Sequence, residues 1–168
     1  LNMATIIAIP IMLIVSVLQM VAISRLPLLN SNADLLLLTI LSWGLNEKAK
    51  NVYFWAAIAG LLVSFISALP FPMPVFIYLM VAWISRQAHG RIWQSPFITM
   101  LIVTFFSTLI QHVITIIFLQ VAGIPISFLV SVKEVTIPSL VINLLLALPV
   151  YLVVSDLSRW FYQKGDYE

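Results

Sequence analysis

The sequence predicts an all-α integral membrane protein with six transmembrane helices and both termini in the cytoplasm. Three observations predict it. The chain is 62% hydrophobic and only 8% charged, where a soluble domain carries about 25% charged residues. Its apolar residues gather into six segments near the length that a bilayer crossing needs. Its Lys and Arg collect in those connecting segments that six crossings would place on one side.

Such a chain cannot cover its own surface with polar groups, so water is not its main solvent. Its 168 residues read as a single membrane domain. A formal charge of +2 is too small to suggest nucleic acid as a partner, and the absence of cysteine excludes disulfides and thiolate metal sites. The apolar runs lack the alternation of a barrel wall, which leaves helices as the spanning solution.

A bilayer core of about 30 Å takes about 20 helical residues. The first span is expected at 3–24. It is too long for a signal-peptide core and has no basic segment before it, so it reads as a retained span. The second is expected at 33–47 and is the odd one. Its apolar part is about 12 residues, or about 18 Å, too short to cross alone. It is expected to borrow "NEKAK" (46–50) as a helical polar end or to begin in "NSNAD" (30–34), with Asn32 as N-cap and Asp34 in the first turn. A short span is comfortable only among longer neighbours.

The third and fourth spans, 52–69 and 73–88, flank Pro70, Pro72 and Pro74. A proline inside a helix costs about 3 kcal/mol, so alternate prolines mark a turn and the two spans form a hairpin. No Asp, Glu, Lys or Arg lies between Lys50 and Arg86, and the turn carries Phe71 and Met73. Either it packs into lipid or another protein covers it. The fifth span, 96–120, is the longest. The segment "AGIPISFLVSVKEV" (122–135), with Phe128 at its middle, is expected to lie along the interface as a short helix or to meet a partner. The sixth span is expected at 137–160.

With the N-terminus inside, Lys48, Lys50, Arg86, Arg91, Arg159 and Lys164 fall on the cytoplasmic side, and Arg25 and Lys133 on the other. That bias supports both termini inside. Trp43, Trp55, Trp83, Trp93 and Trp160 then fall near the cytoplasmic interface, as an aromatic belt predicts.

No catalytic or metal constellation is expected. His89 sits in the basic loop "RQAHGR" and reads as a solvated residue. His112 is a lone histidine, and a metal site needs about three or four ligands. No serine has a histidine and carboxylate in a recognisable arrangement. No acidic or basic residue is expected deep in a span, which argues against a pump.

Helix rise sharpens one feature. Gln19 lies about 24 Å from the inner end of the first span, and Gln111 and His112 reach about the same height on the fifth. Asn143 on the sixth, Ser64 on the third and Tyr78 on the fourth belong to the same outer half. The shared polar layer has two readings: an interhelical hydrogen-bond layer, or the floor of an outward cavity for a polar ligand. Ala4 and Ala8 make a small-xxx-small pair that lets another helix approach.

At "ADLLLLTILSWGL" (33–45), "GLLVSFISALPFPMPVFIYLMVAWI" (60–84) and "IPSLVINLLLALPVYLVVSDLSRWF" (137–161) the chain resembles the bacterial rod shape-determining MreD family. The family shows an Asp-Leu-Leu-Leu start to its second span, a Gly-Leu-rich third span running into a proline and glycine turn, and a Leu-rich last helix with an Asn and a Pro. Many members have an acidic residue where this chain has Ser64, and a glycine where it has Pro72. The six-helix arrangement is also similar to the S components of vitamin transporters.

The resemblance implies a non-enzymatic scaffold of the cell-wall elongation machinery in the bacterial inner membrane, without a cofactor. It would bind the single-span coiled-coil protein MreC, in an assembly with RodA, a class B transpeptidase and MreB. Expected contacts are Phe71, Pro72 and Met73 of the turn, Phe128, and the Ala4–Ala8 pair. The alternative is a substrate-binding transport subunit, with Gln19, Ser64, Tyr78, Gln111, His112 and Asn143 as its pocket.

Overall fold

The computed structural model describes residues 3–25, 33–46, 51–67, 69–90 and 95–164. Every regular element among them is helical: α1 (Met3–Arg25), α2 (Leu35–Gly44), α3 (Val52–Ile66), α4 (Met73–Ala88), α5 (Pro96–Val121), α6 (Phe128–Ser131), a π turn (Val132–Thr136) and α7 (Ile137–Lys164). The stretches Pro96–Val121 and Phe128–Trp160 are each long and apolar enough to cross a membrane.

The bundle is built around its shortest long-range element. α2 reads "LLLLTILSWG", apolar on every side, and a helix of that kind has to be enclosed. Every residue from Leu36 to Gly44 is buried, and α1, α3, α4, α5 and α7 all pack against it. At its C-terminal end Trp43 stacks on Trp55 of α3, ring centroids 4.1 Å apart. The surrounding helices keep large apolar side chains outward, among them Ile14, Val17, Phe65, Phe106 and Leu145.

α3 and α4 form the expected hairpin. α3 ends at Ile66, three residues before the expected limit, because Ser67 turns extended. Pro70 and Pro72 lie in the turn, where the Met73 N–H donates to the Pro70 carbonyl at 3.0 Å. Pro74 falls in the first turn of α4, where a missing N–H breaks no helical bond. The two helices run close together at Gly60. A Cβ there would collide with the Val75 backbone and come within 3.1 Å of the Pro74 carbonyl oxygen.

Two expectations need correction. α2 stops at Gly44 and Leu45 caps it, so Asn46 lies in a bend and does not prolong the helix. Residues 47–50 lie outside the described residues. The segment 122–135, expected as a short helix along the interface or a partner contact, holds the short helix α6, but α6 and the π turn run directly into α7, so the last long helix begins at Phe128 and not near Pro138.

The Gly60 contact makes a direct test. Gly60→Ala should lower the unfolding free energy of the detergent-solubilised protein by about 1–3 kcal/mol, the usual cost of overpacking. Unchanged stability would mean that α3 and α4 do not touch there.

Candidate functional site: the two ends of α2

A helix leaves its first N–H and last C=O groups without internal partners. With ten residues, α2 is only about 15 Å long. Both of its ends therefore fall inside the bundle, and other helices supply the missing partners.

At the N-terminal end Asp34 is the cap, and its carboxylate accepts the Leu37 N–H at 2.8 Å. The Tyr78 hydroxyl of α4 donates to the same carboxylate, 2.8 Å from each oxygen. Gln111 Nε2 of α5 donates to Oδ2 at 2.8 Å. Gln19 Oε1 of α1 accepts the Leu36 N–H at 3.2 Å. Asn143 Oδ1 of α7 accepts the Asp34 N–H at 2.9 Å, while its Nδ2 donates to Thr108 Oγ1 at 3.2 Å. Four helices thus converge on the start of a fifth. The negative carboxylate sits at the positive end of the α2 dipole, where it is favoured. Among the described residues no Lys or Arg pairs with it.

The C-terminal end is closed from the other end of α4. The Leu45 N–H returns to the Leu41 carbonyl at 3.0 Å, and the Asn46 N–H to that of Trp43 at 3.1 Å. The Arg86 guanidinium lies 3.5 Å from the Gly44 carbonyl and 3.4 Å from that of Asn46. His89 Nδ1 lies 2.8 Å from the Leu45 carbonyl oxygen. A carbonyl only accepts, so this bond assigns a proton to Nδ1. Asn46 Nδ2 donates to Ser158 Oγ of α7 at 2.6 Å.

The structure brings together four of the six polar-layer residues: Gln19, Tyr78, Gln111 and Asn143. Ser64 stands apart, its hydroxyl returned to the Gly60 carbonyl of its own helix at 2.7 Å. His112 faces a neighbouring direction and lies 3.4 Å from Thr136 Oγ1, tying α5 to the π turn. The residue that organises the layer is one that depth alone did not select. Asp34 was expected as an edge residue in a first turn, and it is the half-buried cap itself. Asn32, the expected cap, lies outside the described residues. His89, expected as a solvated loop residue, closes the far end of α2. The signal for Asp34 and His89 was the shortness of the second apolar segment, which demands partners at both ends.

Of the expected contact residues, Phe71 is 65% exposed and Phe128 48%. Pro72 is exposed and Met73 half-buried. Ala8 is fully buried in the core, so it offers no face to a partner helix. The Ala4 side chain lies outside the described residues. An apolar groove of about 270 Å³ opens between α1 and α7, lined among others by Ile11, Val15, Leu35, Trp55, Val150 and Val154. Among the described residues no three His, Asp or Glu side chains group closely enough to hold a metal ion.

No family model, no curated protein and no solved structure matches this chain.

The convergence on Asp34 predicts strong non-additivity. Tyr78→Phe should cost about 1–2 kcal/mol in unfolding free energy, as for a hydrogen bond to a charged group. Asp34→Ala should cost more, because it leaves the Tyr78 hydroxyl, the Gln111 amide and the Leu37 N–H without an acceptor. Adding Tyr78→Phe to Asp34→Ala should then cost little further. Simple additivity of the two would show that the hydroxyl and carboxylate are not bonded.

Proposed function

We propose that the protein is a six-span scaffold of the bacterial cell-wall elongation machinery, of the MreD type, that binds MreC in the inner membrane. The observation that carries this reading is the use made of the polar layer. Its amides and its carboxylate are engaged on the ends of α2, which favours an architectural role over a pocket for a polar solute. The Asp-Leu-Leu-Leu segment that carries the family resemblance is also the segment seated at the centre of the bundle. RodA, a class B transpeptidase and MreB would join in the larger assembly, and the protein itself would catalyse no reaction.

The charge bias supports an orientation with both termini inside, the Arg86 and His89 end of α2 facing the cytoplasm and the Asp34 end facing outward. In that orientation the Phe71 turn and α6 lie on the outer side. The helix from Phe128 to Trp160 has 33 residues, which is about 50 Å of rise. Tilted by about 40°, the upper end of the usual range, it still projects about 38 Å along the bilayer normal. The hydrocarbon core is about 30 Å thick. With Trp160 at the inner interface, the helix carries Phe128, Leu129 and Val130 beyond the outer edge of the core, at 48%, 76% and 50% exposure. A protruding apolar tip of this kind is suited to cover by a partner's outer segment.

Co-purification with MreC tests the reading. Phe71→Asp with Met73→Asp, and separately Phe128→Asp with Leu129→Asp, should weaken capture of MreC while leaving the protein folded. Full capture by both variants would remove these surfaces from the interface. A stoichiometric small molecule in the mass spectrum of the purified protein would favour the transport-subunit reading instead.

A further inference from the structure

The apolar groove of about 270 Å³ separates α1 from α7. α1 forms one wall from Ile11 to Leu18 and α7 the other from Pro149 to Leu157, with Leu35 of α2 and Trp55 of α3 between them. The rim is open: Leu18 is 55% and Val153 68% exposed. Among the described residues no charged side chain lines it. The Thr39 hydroxyl, the one hydroxyl in its lining, is turned back to the Leu35 carbonyl at 2.7 Å. The Trp55 indole nitrogen is itself buried. The groove therefore offers no partner to water or to a polar solute, and an apolar space of this kind takes an apolar ligand.

Three helices give the groove one length. Along α2, from Leu35 to Trp43, whose ring stacks on Trp55, the rise is about 12 Å. From Ile11 to Leu18 it is about 10.5 Å, and from Pro149 to Leu157 about 12 Å. An extended chain advances about 1.2 Å per bond, from about 3.6 Å for a residue of three bonds, so the groove takes about ten carbons in a row. Volume gives the same answer. A dry cavity of about 150 Å³ holds the six carbons of benzene, so about 270 Å³ holds about eleven. Length and volume together describe a slot one hydrocarbon chain wide. A helix about 10–12 Å across would fill roughly 1,000 Å³ over the same length, so a partner helix would rest on the rim. A stable protein interface also buries about 1,200 Å² or more, far beyond the walls of so narrow a slot.

The lower end of the slot, at Leu157, lies about 4.5 Å of helical rise from Trp160. With Trp160 at the inner interface, that end opens among the inner headgroups, and the slot runs up to Leu35, next to the Asp34 cluster. We propose that the groove is a binding site for one acyl chain of an inner-leaflet phospholipid. The inference rests on the membrane-spanning reading of the chain and not on the identity of its protein partner. The acyl chain fills the gap beside Leu35 and Trp55 that α1 and α7 leave open. Beyond the slot, Arg159 is paired with Asp156 at 3.8 Å. The site therefore selects the hydrocarbon chain and not the charge of a headgroup.

The test is photolabelling of the full chain in vesicles of phosphatidylglycerol and phosphatidylethanolamine, either one carrying a diazirine near the middle of an acyl chain. Irradiation in the vesicles labels every lipid-facing surface. Irradiation after extraction into detergent and removal of free lipid labels only where a lipid is retained. After extraction, adducts mapped by mass spectrometry should be several-fold more frequent at Val15, Leu35 and Val150 than at Leu145 and Phe106, although the last two are 71% and 53% exposed. Val150→Phe, which fills the slot, should reduce the retained label several-fold. Adducts that follow exposure after extraction, or no retained label, would overturn the proposal while leaving the membrane reading intact. No label even in the vesicles would overturn the membrane reading as well. A Val150→Phe chain that keeps its lipid label and loses capture of MreC would assign the groove to a partner helix and overturn the proposal. The map of the native chain needs no variant, so it decides the matter even if the substitution disturbs folding.

Discussion

A ten-residue apolar helix in the middle of a bundle has two ends that are half-buried among the other helices. Its backbone groups still need partners, because an unpaired buried N–H or C=O costs about as much as a lost hydrogen bond. The bundle depends on how that demand is met. Asp34 caps the first turn with its own carboxylate, and the remaining capacity of that carboxylate is filled by Tyr78 and Gln111. Gln19 and Asn143 complete the set from α1 and α7. One short segment thereby sets the relative height of four longer helices.

The longer helices take their roles from this arrangement. α4 serves both ends of α2, with Tyr78 near its start and Arg86 and His89 at its finish. α7 does the same through Asn143 and Ser158. α3 meets the C-terminal end of α2 through Trp55. It is fixed by backbone approach at Gly60 and by the stacking of Trp55 on Trp43. α5 holds the carboxylate through Gln111. Polar contacts at two levels and apolar contact between them fix the register of the bundle, with no salt bridge at its centre among the described residues.

Much of this was legible in the sequence, and the parts that were not have physical reasons. Helix rise alone put Gln19, Tyr78, Gln111 and Asn143 at one level, because straight helices convert residue number into height reliably. It could not tell which way a side chain points. Ser64 had the right height, but a serine hydroxyl is satisfied by its own helix. His112 is adjacent to Gln111, and one residue turns the side chain by about 100°. Asp34 was passed over because an acidic residue in a first turn already has an explanation in the helix dipole. The stronger clue was that the apolar run beginning there is too short to reach a surface. The proline turn was read correctly from the alternation of Pro70, Pro72 and Pro74. The fusion of 128–136 with the last helix was not, since Pro138 looked like a starting residue and sits in the first turn of α7 without breaking its link to the π turn.

The proposed architectural role rests on a polar layer turned inward on its own backbone, with apolar side chains left facing out at the hairpin turn and at α6. Hydrogen–deuterium exchange at the α2 amides tests the central premise most directly. If the ends of α2 are seated as described, the amides of residues 34 and 36–38 should be protected to the same degree as those in the middle of α5. Rapid exchange at these positions in the native state, with α5 still protected, would show that the start of α2 opens freely and that the Asp34 cluster does not hold the bundle together.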